Sequence, residues 1–456
     1  MSKKIRNTPV RTFFLVLFVI IFLLLLHLLP EMTIASVKLR NVNILCDIYP
    51  DKQESSETAI QVKIPKLHQQ NNKFKETFPP GVTCIEDYGN DYDMDYFYSA
   101  LNNVNKMSRP VRIAYFGDSF IEGDIVTGDL RQLLQSKYGG KGVGWVDCAS
   151  ITSSFRKTVY ETSKGWISHS IVEHGFNRDI QGINQRYFIP KGQACTMLKC
   201  SNNRANSKTC ELSEIYYYSK HPFKLSATVN GESSKTYSIA VNKLSTAKAT
   251  GNINNIRWNI KEATNSSYFY GITMESNKGV IVDNFSMRGS PGFTLSSIPK
   301  QTLISFSKLR PYDLIIIQYG LNVAKDICPA AYYRLYQHRM EKVVNSIKSV
   351  YPHTSILIAS VSDRCSRDMN GICTSSGIKP LTIYQQMIAA NTHVAFFNLF
   401  KAMKSKGGMK EMVDKKQANL DYTHLNFKGG RVIGKCFFDA LIAGKVNYDK
   451  RNLILK

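Results

Sequence analysis

Val111-Arg112-Ile113-Ala114-Tyr115-Phe116-Gly117-Asp118-Ser119-Phe120 is the stretch on which the fold turns. Branched and aromatic residues run without interruption into a glycine, which reads as a short strand and its end. A serine just past the C-terminal end of a parallel strand stands where open α/β sheets place their sites. Downstream, Leu130, Leu133 and Leu134 have helical spacing. The same alternation returns after residue 283. Tyr312-Asp313-Leu314-Ile315-Ile316-Ile317-Gln318 is the continuous apolar run of a buried parallel strand, and Leu335, Met340, Val343, Val344 and Ile347 mark a helix over 330–350. Ser355-Ile356-Leu357-Ile358-Ala359-Ser360 and Val394-Ala395-Phe396-Phe397-Asn398 predict two more strands. Helices over 380–391 and from about 427 to about 441 complete the pattern. Strands alternating with helices predict a parallel sheet covered on both faces.

Between these halves the text changes. Residues 150–282 are rich in Ser, Thr, Asn and Tyr, with short alternating runs. Phe223 to Val229 followed by Asn230-Gly231 predicts a hairpin, because Asn-Gly accepts the positive φ that tight turns need. Ile256–Ile260 and Tyr268–Met274 read as further strands. The expectation is an inserted β-sandwich-like domain, 150–282, that splits an α/β domain into 108–149 and 283–456. Residues 31–107 read as a spacer, polar and Lys/Gln/Asn-rich from Asp51 to Thr77, with a short helix near Tyr96, Phe97, Leu101 and Val104.

The N-terminus carries Lys3, Lys4, Arg6 and Arg11 before an apolar run from Thr12 to Leu29. About 18 residues is the lower end of what spans a bilayer. The positive flank predicts a single-pass anchor over 1–30, with a cytoplasmic N-terminus and the remainder outside the cytoplasm. A cleaved signal peptide is the rival reading, opposed by the poor small-residue cleavage site near Ala35.

The chain has 456 residues and a formal net charge of +24, which favours acidic or polyanionic partners. No Lys/Arg block with interleaved aromatics points to nucleic acid. The ten cysteines form no C-x-x-C pair and no zinc-ligand spacing. An even count behind an export signal suggests some disulfides. Cys365 with Cys373, and one pair among Cys195, Cys200 and Cys210, are the candidates, while Cys148 and Cys436 read as buried thiols.

Four short elements carry chemistry. Gly117-Asp118-Ser119 offers a nucleophile at a strand end, with the dipole of a following helix aimed at the loop; alone it is also a common turn. Gly320-Leu321-Asn322 offers an amide that can donate to an oxyanion, or merely a strand-ending turn. Asp421-Tyr422-Thr423-His424 places a carboxylate within one turn of an imidazole, able to fix its tautomer while the His serves as general base. The bland alternative is a capping Asp beside a surface His. Gly289, in Ser286-Met287-Arg288-Gly289-Ser290, allows close approach of a backbone N–H to a substrate oxygen.

Taken in chain order, Ser119, Gly289, Asn322 and Asp421-x-x-His424, these elements resemble the SGNH (GDSL-type) hydrolase family, over about 108–148 and 280–445. The resemblance implies a flavodoxin-like three-layer α/β/α fold. It implies Ser119 as nucleophile, His424 as base and Asp421 as its orienter. It also implies the Ser119 and Gly289 amides and the Asn322 side chain as oxyanion donors, with no metal or cofactor. Phe120 stands where the family usually has Leu, and the elbow of lipase-type hydrolases is absent. Gly123-Asp124 and Gly142-Val143-Gly144-Trp145 look like bacterial peptidoglycan O-acetylesterases, which implies an O-acetylated cell-wall or surface glycan as substrate. The glycine-rich segment reads equally well as a structural turn. The same triad serves an O-acetyltransferase fed by a membrane-bound acyltransferase partner, and a non-catalytic glycan-binding protein is the remaining alternative. Trp166, Trp258 and Tyr216 to Tyr218 read as β-domain core in preference to sugar-stacking rings.

Overall fold

The structure is a computed structural model that describes residues 8–27, 33–34, 37–38, 74–89, 92–203, 205–368 and 371–454. The chain divides into two compact units, Met1–Lys63 and Ile64–Lys456. In the first, helix α1 (Thr8–His27) precedes the two-residue strands β1 (Thr33–Ile34) and β2 (Val37–Lys38), which pair antiparallel. The large apolar side chains of α1 from Phe13 to Phe22 are exposed. The expected spanning anchor finds no support among the described residues, where no helix is long and apolar enough to cross a membrane. A span needs about 20 apolar residues in succession, and the side chains of α1 are described only from Val10 to Phe22. Most of the Asp51–Thr77 spacer lies outside the described residues.

The second unit begins with β3 (Ile85–Asp87), α2 (Asp95–Asn102) and β4 (Val111–Gly117), followed by a 3₁₀ turn over Ser119–Asp124 and α3 (Thr127–Tyr138). Nine strands come next: β5 (Gly142–Val146), β6 (Val159–Ser170), β7 (Arg186–Cys200), β8 (Cys210–Ser219), β9 (Lys224–Val229), β10 (Lys235–Tyr237), β11 (Leu244–Ile253), β12 (Asn255–Lys261) and β13 (Ser267–Glu275). Then come β14 (Val280–Ser286), α4 (Lys300–Leu309), β15 (Leu314–Gln318), α5 (Ala330–Val350) and β16 (Ser355–Ala359). The chain ends with the hairpin β17 (Cys365–Asp368) and β18 (Gly371–Thr374), α6 (Ile378–Thr392), β19 (Ala395–Phe397), α7 (Leu399–Lys404), α8 (Gly408–Asp414) and α9 (Phe427–Ile454).

The central sheet runs β14-β4-β15-β16-β19-β3, with the first five strands parallel and β3 antiparallel. Taken in sequence, those five strands have the order 2-1-3-4-5, the flavodoxin-like arrangement expected. Every residue of β4, β15 and β16 is buried, as strands covered on both faces must be. Helices α2, α3 and α9 form one layer; α4, α5 and α6 form the other. The region expected as a spacer contributes part of this fold. Its C-terminal portion supplies the edge strand β3 and helix α2, whose Phe97 and Leu101 are buried. The Phe97 amide donates to Ser355 Oγ (3.0 Å), and Asp93 Oδ2 accepts from the Ile356 amide (2.7 Å). Helix α9 also outruns its expected end. Its last turns are held by polar groups: Asn447 Oδ1 accepts from the Thr77 amide (3.1 Å), and Arg451 pairs with Asp95.

Strands β5 to β13 form one nine-stranded sheet. It starts at β5, ahead of the expected boundary at residue 150. On one edge β7 pairs with β6 along its length; on the other it pairs with β12 through its C-terminal half and meets β13 at Phe188. β7 thus serves two neighbours on the same side. These strands have their own apolar cluster around Phe188, Leu198, Ile215, Trp258 and Phe269. Trp258 Nε1 donates across it to Ser213 Oγ (3.1 Å). Trp258 and Tyr217 are buried in this cluster, as read from sequence, whereas Tyr216 is buried in the α/β core and Trp166 and Tyr218 are only half-buried. The Asn230-Gly231 turn takes positive φ at both residues. The expected disulfides are absent among the described residues, where Cys195, Cys200, Cys210, Cys365 and Cys373 are all thiols.

Candidate active site

Three loops meet at the C-terminal end of the parallel sheet because three strands are neighbours there. Gly117 of β4 lies between Ser286 of β14 and Gln318 of β15, and the Met287 amide donates to the Gly117 carbonyl (2.8 Å). Residues 118–119, 287–290 and 320–322 therefore leave the sheet side by side. The Asn322 side-chain amide donates to the Ser290 carbonyl (3.1 Å), which joins two of the loops. Gly289 has φ +77°, a conformation that side chains rarely adopt, and its position is exposed. Asn322 is exposed too, and its amide carries a second N–H besides the one given to Ser290.

Ser119 starts the 3₁₀ turn, and Phe120 and Ile121 anchor that turn by burial. The expected helix dipole at Ser119 is not there. Residues Glu122 and Gly123 break the helical backbone, and α3 begins only at Thr127. The turn is held instead by Asp118, whose Oδ1 accepts from the Phe120 amide (3.0 Å). Its other oxygen makes no hydrogen bond of good geometry, although the Leu321 and Gly320 amides lie close enough to act on it. Burial is the largest influence and pushes the Asp118 carboxyl up to about 6 against the pull of those amides.

His424 comes from the loop before α9. Ser119 Oγ lies 2.9 Å from His424 Nε2, and His424 Nδ1 lies 2.8 Å from Asp421 Oδ2. With Nδ1–H donating to the carboxylate, Nε2 is left to accept the Ser119 hydroxyl proton. The loop reaches this shape through Tyr422, at φ +53°, and through Asp421 Oδ1, which accepts from the Thr423 (2.9 Å) and His424 (3.0 Å) amides. Helix α9 has a different cap, Asn426, which accepts from the Lys428 amide (2.9 Å). Burial raises the Asp421 carboxyl, but the His424 amide, the imidazole and the Thr423 amide outweigh it and leave it below the usual carboxylate range. Asp421 therefore stays ionised at neutral pH. The Tyr422 carbonyl accepts from the Cys365 amide (3.0 Å), which ties this loop to the β17–β18 hairpin.

Composition gave no sign of the charges buried around the nucleophile turn. Asp124 is fully buried, at φ +64°. It accepts from Arg131 of α3 (3.0 Å), from Arg156 (3.0 Å) and Thr158 (2.5 Å) at the entrance to β6, and from Thr127 (2.8 Å). Burial opposes its charge, yet the two guanidinium groups hold its carboxyl well below the usual range. Glu122 pairs with Arg288, beside Gly289. A second buried cluster joins Arg112, Arg310, Glu275 and Asp283 (Arg310 Nε to Asp283 Oδ2, 2.6 Å) where β4 and β14 adjoin β13. The Gly142–Trp145 glycines are packing features: the Trp145 ring is buried against Tyr216 and Phe285. Among the described residues no group of three or more His, Cys, Asp and Glu is arranged to hold a metal ion.

No family model and no curated protein matches the sequence. Solved structures do match. A peptidoglycan O-acetylesterase superposes with a TM-score of 0.65 at 20% identity, over 79% of this chain and 99% of that one. A salicylyl-acyltransferase from a tetracycline biosynthetic pathway (TM-score 0.29, 11% identity, 63% and 98% covered) and a family two carbohydrate esterase from Clostridium thermocellum (0.26, 10%, 62% and 100%) are more distant. The chain has the fold of the first of these.

Proposed function

We propose that this protein is a serine esterase that removes O-acetyl groups from a cell-wall or surface polysaccharide. The observation that carries the reading is the unbroken row Ser119 Oγ, His424 Nε2, His424 Nδ1, Asp421 Oδ2, at 2.9 and 2.8 Å, beyond the C-terminal end of β4. In this mechanism His424 takes the Ser119 proton as Oγ attacks the acetyl carbonyl. The Ser119 and Gly289 amides and the Asn322 side chain stabilise the oxyanion, and His424 returns the proton to the departing sugar hydroxyl. Water, activated by the same imidazole, then releases acetate. Asp421, already ionised, stabilises the imidazolium without taking its proton.

In this reading the α/β part, built on the six-stranded sheet, performs the chemistry, and the β-rich part, β5 to β13, holds the glycan. The site of action is outside the cytoplasm, where such polymers lie. The positively flanked apolar run at the N-terminus supports that placement.

Incubating the purified protein with O-acetylated peptidoglycan and O-acetylated polysaccharide, and assaying free acetate, tests the reading. Wild type should release acetate and pass through an acetyl adduct on Ser119, seen by mass spectrometry. Ser119→Ala should lower the rate by roughly 10⁴-fold or more. Activity retained by Ser119→Ala would end the proposal.

A further inference from the structure

The segment that leads into β6 crosses the catalytic rim. Phe155 lies against Gly123, so closely that a Cβ on Gly123 would come within 2.2 Å of the ring. Arg156 and Thr158 turn inward and lock onto Asp124. Lys157 turns outward and sets its ammonium over the Phe427 ring, 4.6 Å from the centroid. Gly123 belongs to the turn that begins with Ser119, and Phe427 follows three residues after His424. Phe155-Arg156-Lys157-Thr158 thus bridges the element bearing the hydroxyl to the element bearing the imidazole, with its two exposed side chains facing solvent beside both.

A cavity of about 490 Å³ opens at this point. Lys157, Arg431 and Lys435 line it with Phe427, Leu133 and Asn203. The arginine and Lys435 side chains are 78% and 64% exposed. Carboxylates meet two of the cations, Asp129 at 3.7 Å from Arg431 and Asp439 at 2.8 Å from Lys435. The Lys157 ammonium has the aromatic ring and, among the described residues, no carboxylate. Of the ionisable lining groups, three are cations and one, Asp129, is an acid. The wall combines positive charge, an apolar surface and an amide able to bond hydroxyls, which is the chemistry of a sugar ring bearing a carboxylate.

We infer that this groove is a binding subsite for a carboxylate-bearing glycan strand, placed so that the strand continues from the acetylated residue at Ser119. The inference deepens the esterase reading and rests on it for the strand's direction. The carboxylate can belong to a uronic acid or to a lactyl ether on an amino sugar, and the two are told apart by the probes.

Binding is measured by calorimetry on the Ser119→Ala full chain, so the result does not depend on catalysis. Acetate release by wild type tests the esterase reading separately. The probes are an oligogalacturonate, an N-acetylglucosamine–N-acetylmuramic acid oligomer with free lactyl carboxylates, a neutral chitooligosaccharide of equal length, and a single-stranded oligonucleotide of equal charge. At least one acidic glycan should bind about tenfold more tightly than the neutral one at low salt, and that ratio should shrink as salt rises. Lys157→Glu with Arg431→Glu should bring the ratio to about one. Both substituted charges are on exposed side chains, and the salt titration of the parent needs no variant. Equal affinity for acidic and neutral strands, a preference that survives the double substitution, or an oligonucleotide that binds as well as the acidic glycans would each overturn the inference.

Discussion

The parallel strands and the outlying strands of the β-rich sheet are buried in opposite ways, although β8 and β13 of the latter are buried almost throughout. In the parallel sheet β4, β15 and β16 are buried at every residue, and all the reactive groups sit in the loops beyond strand ends. In the β-rich sheet β12 alternates, with Ile256, Trp258 and Ile260 inward and Arg257 outward. Covering both faces forces continuous apolar text and leaves only the termini for chemistry. Covering one face frees every second residue to meet solvent or ligand. The proposed chemistry follows that division: its proton relay would stand at the end of the parallel sheet, and the approach to β6 brings charge and aromatic surface to its rim.

The seam between the sheets is the place to break this comparison. Asp124 is the shared counter-ion of Arg131, on the α/β side, and Arg156, on the β-rich side. Asp124→Asn would leave both guanidinium groups buried with their common carboxylate gone, a change that costs roughly 3–5 kcal/mol when a buried pair loses one member. A single cooperative transition should move to lower denaturant, because residues 64–456 pack as one unit. Two separated transitions in the variant, followed by tryptophan fluorescence and circular dichroism, would show instead that the sheets are independent bodies.

A second substitution sharpens the comparison by separating rate from stability. Asn322 lies past the end of β15, exposed, and among the described residues its side-chain amide bonds only the Ser290 carbonyl. Asn322→Ala should lower kcat about 100-fold, the usual effect of one oxyanion donor, with a melting temperature close to that of the parent. A fall in melting temperature with little change in kcat would make Asn322 a loop brace and remove it from the proposed chemistry.

How much of this was legible follows the same division. Four of the five parallel strands, β4, β15, β16 and β19, stood out with helices α3, α5 and α6, because burial on both faces writes long apolar words; β14 straddled the boundary drawn at 283, and it and α4 were not read. Ser119, Asn322 and His424 were locatable because each follows or precedes such a word. The β-rich strands were found where Asn230-Gly231 or strict alternation marked them, but β5 was missed as their first member. Gly142 to Val146 is glycine-interrupted, and nothing local tells a strand which sheet it joins. The buried arginines were invisible for a related reason: Arg131, Arg156 and Arg310 look like surface residues until the fold supplies their partners. The second half of α9 escaped because Asn447 and Arg451 hold it by polar bonds that apolar spacing cannot register.

The smallest of the expected effects concerns Asp118, and its sign follows from burial. Its carboxyl is pushed up to about 6, above the ordinary value near 3.8, chiefly because the site excludes water. Below the ordinary value the group is protonated in both folded and unfolded chains. Between that value and about pH 6 the folded protein keeps a proton that the unfolded chain has released, so stability falls as pH rises through this window. Asn in its place can still accept from the Phe120 amide and cannot ionise. Asp118→Asn should therefore gain stability over the parent as pH rises from 4 to 6 and hold a constant advantage above, on the order of 2 kcal/mol. Denaturant titrations of both proteins at several pH values read this difference directly, which cancels the other carboxylates the two share. An advantage that does not change with pH would mean that Asp118 is ionised throughout, held by the Gly320 and Leu321 amides more firmly than burial opposes. The loop beneath Ser119 would then be built around a charge.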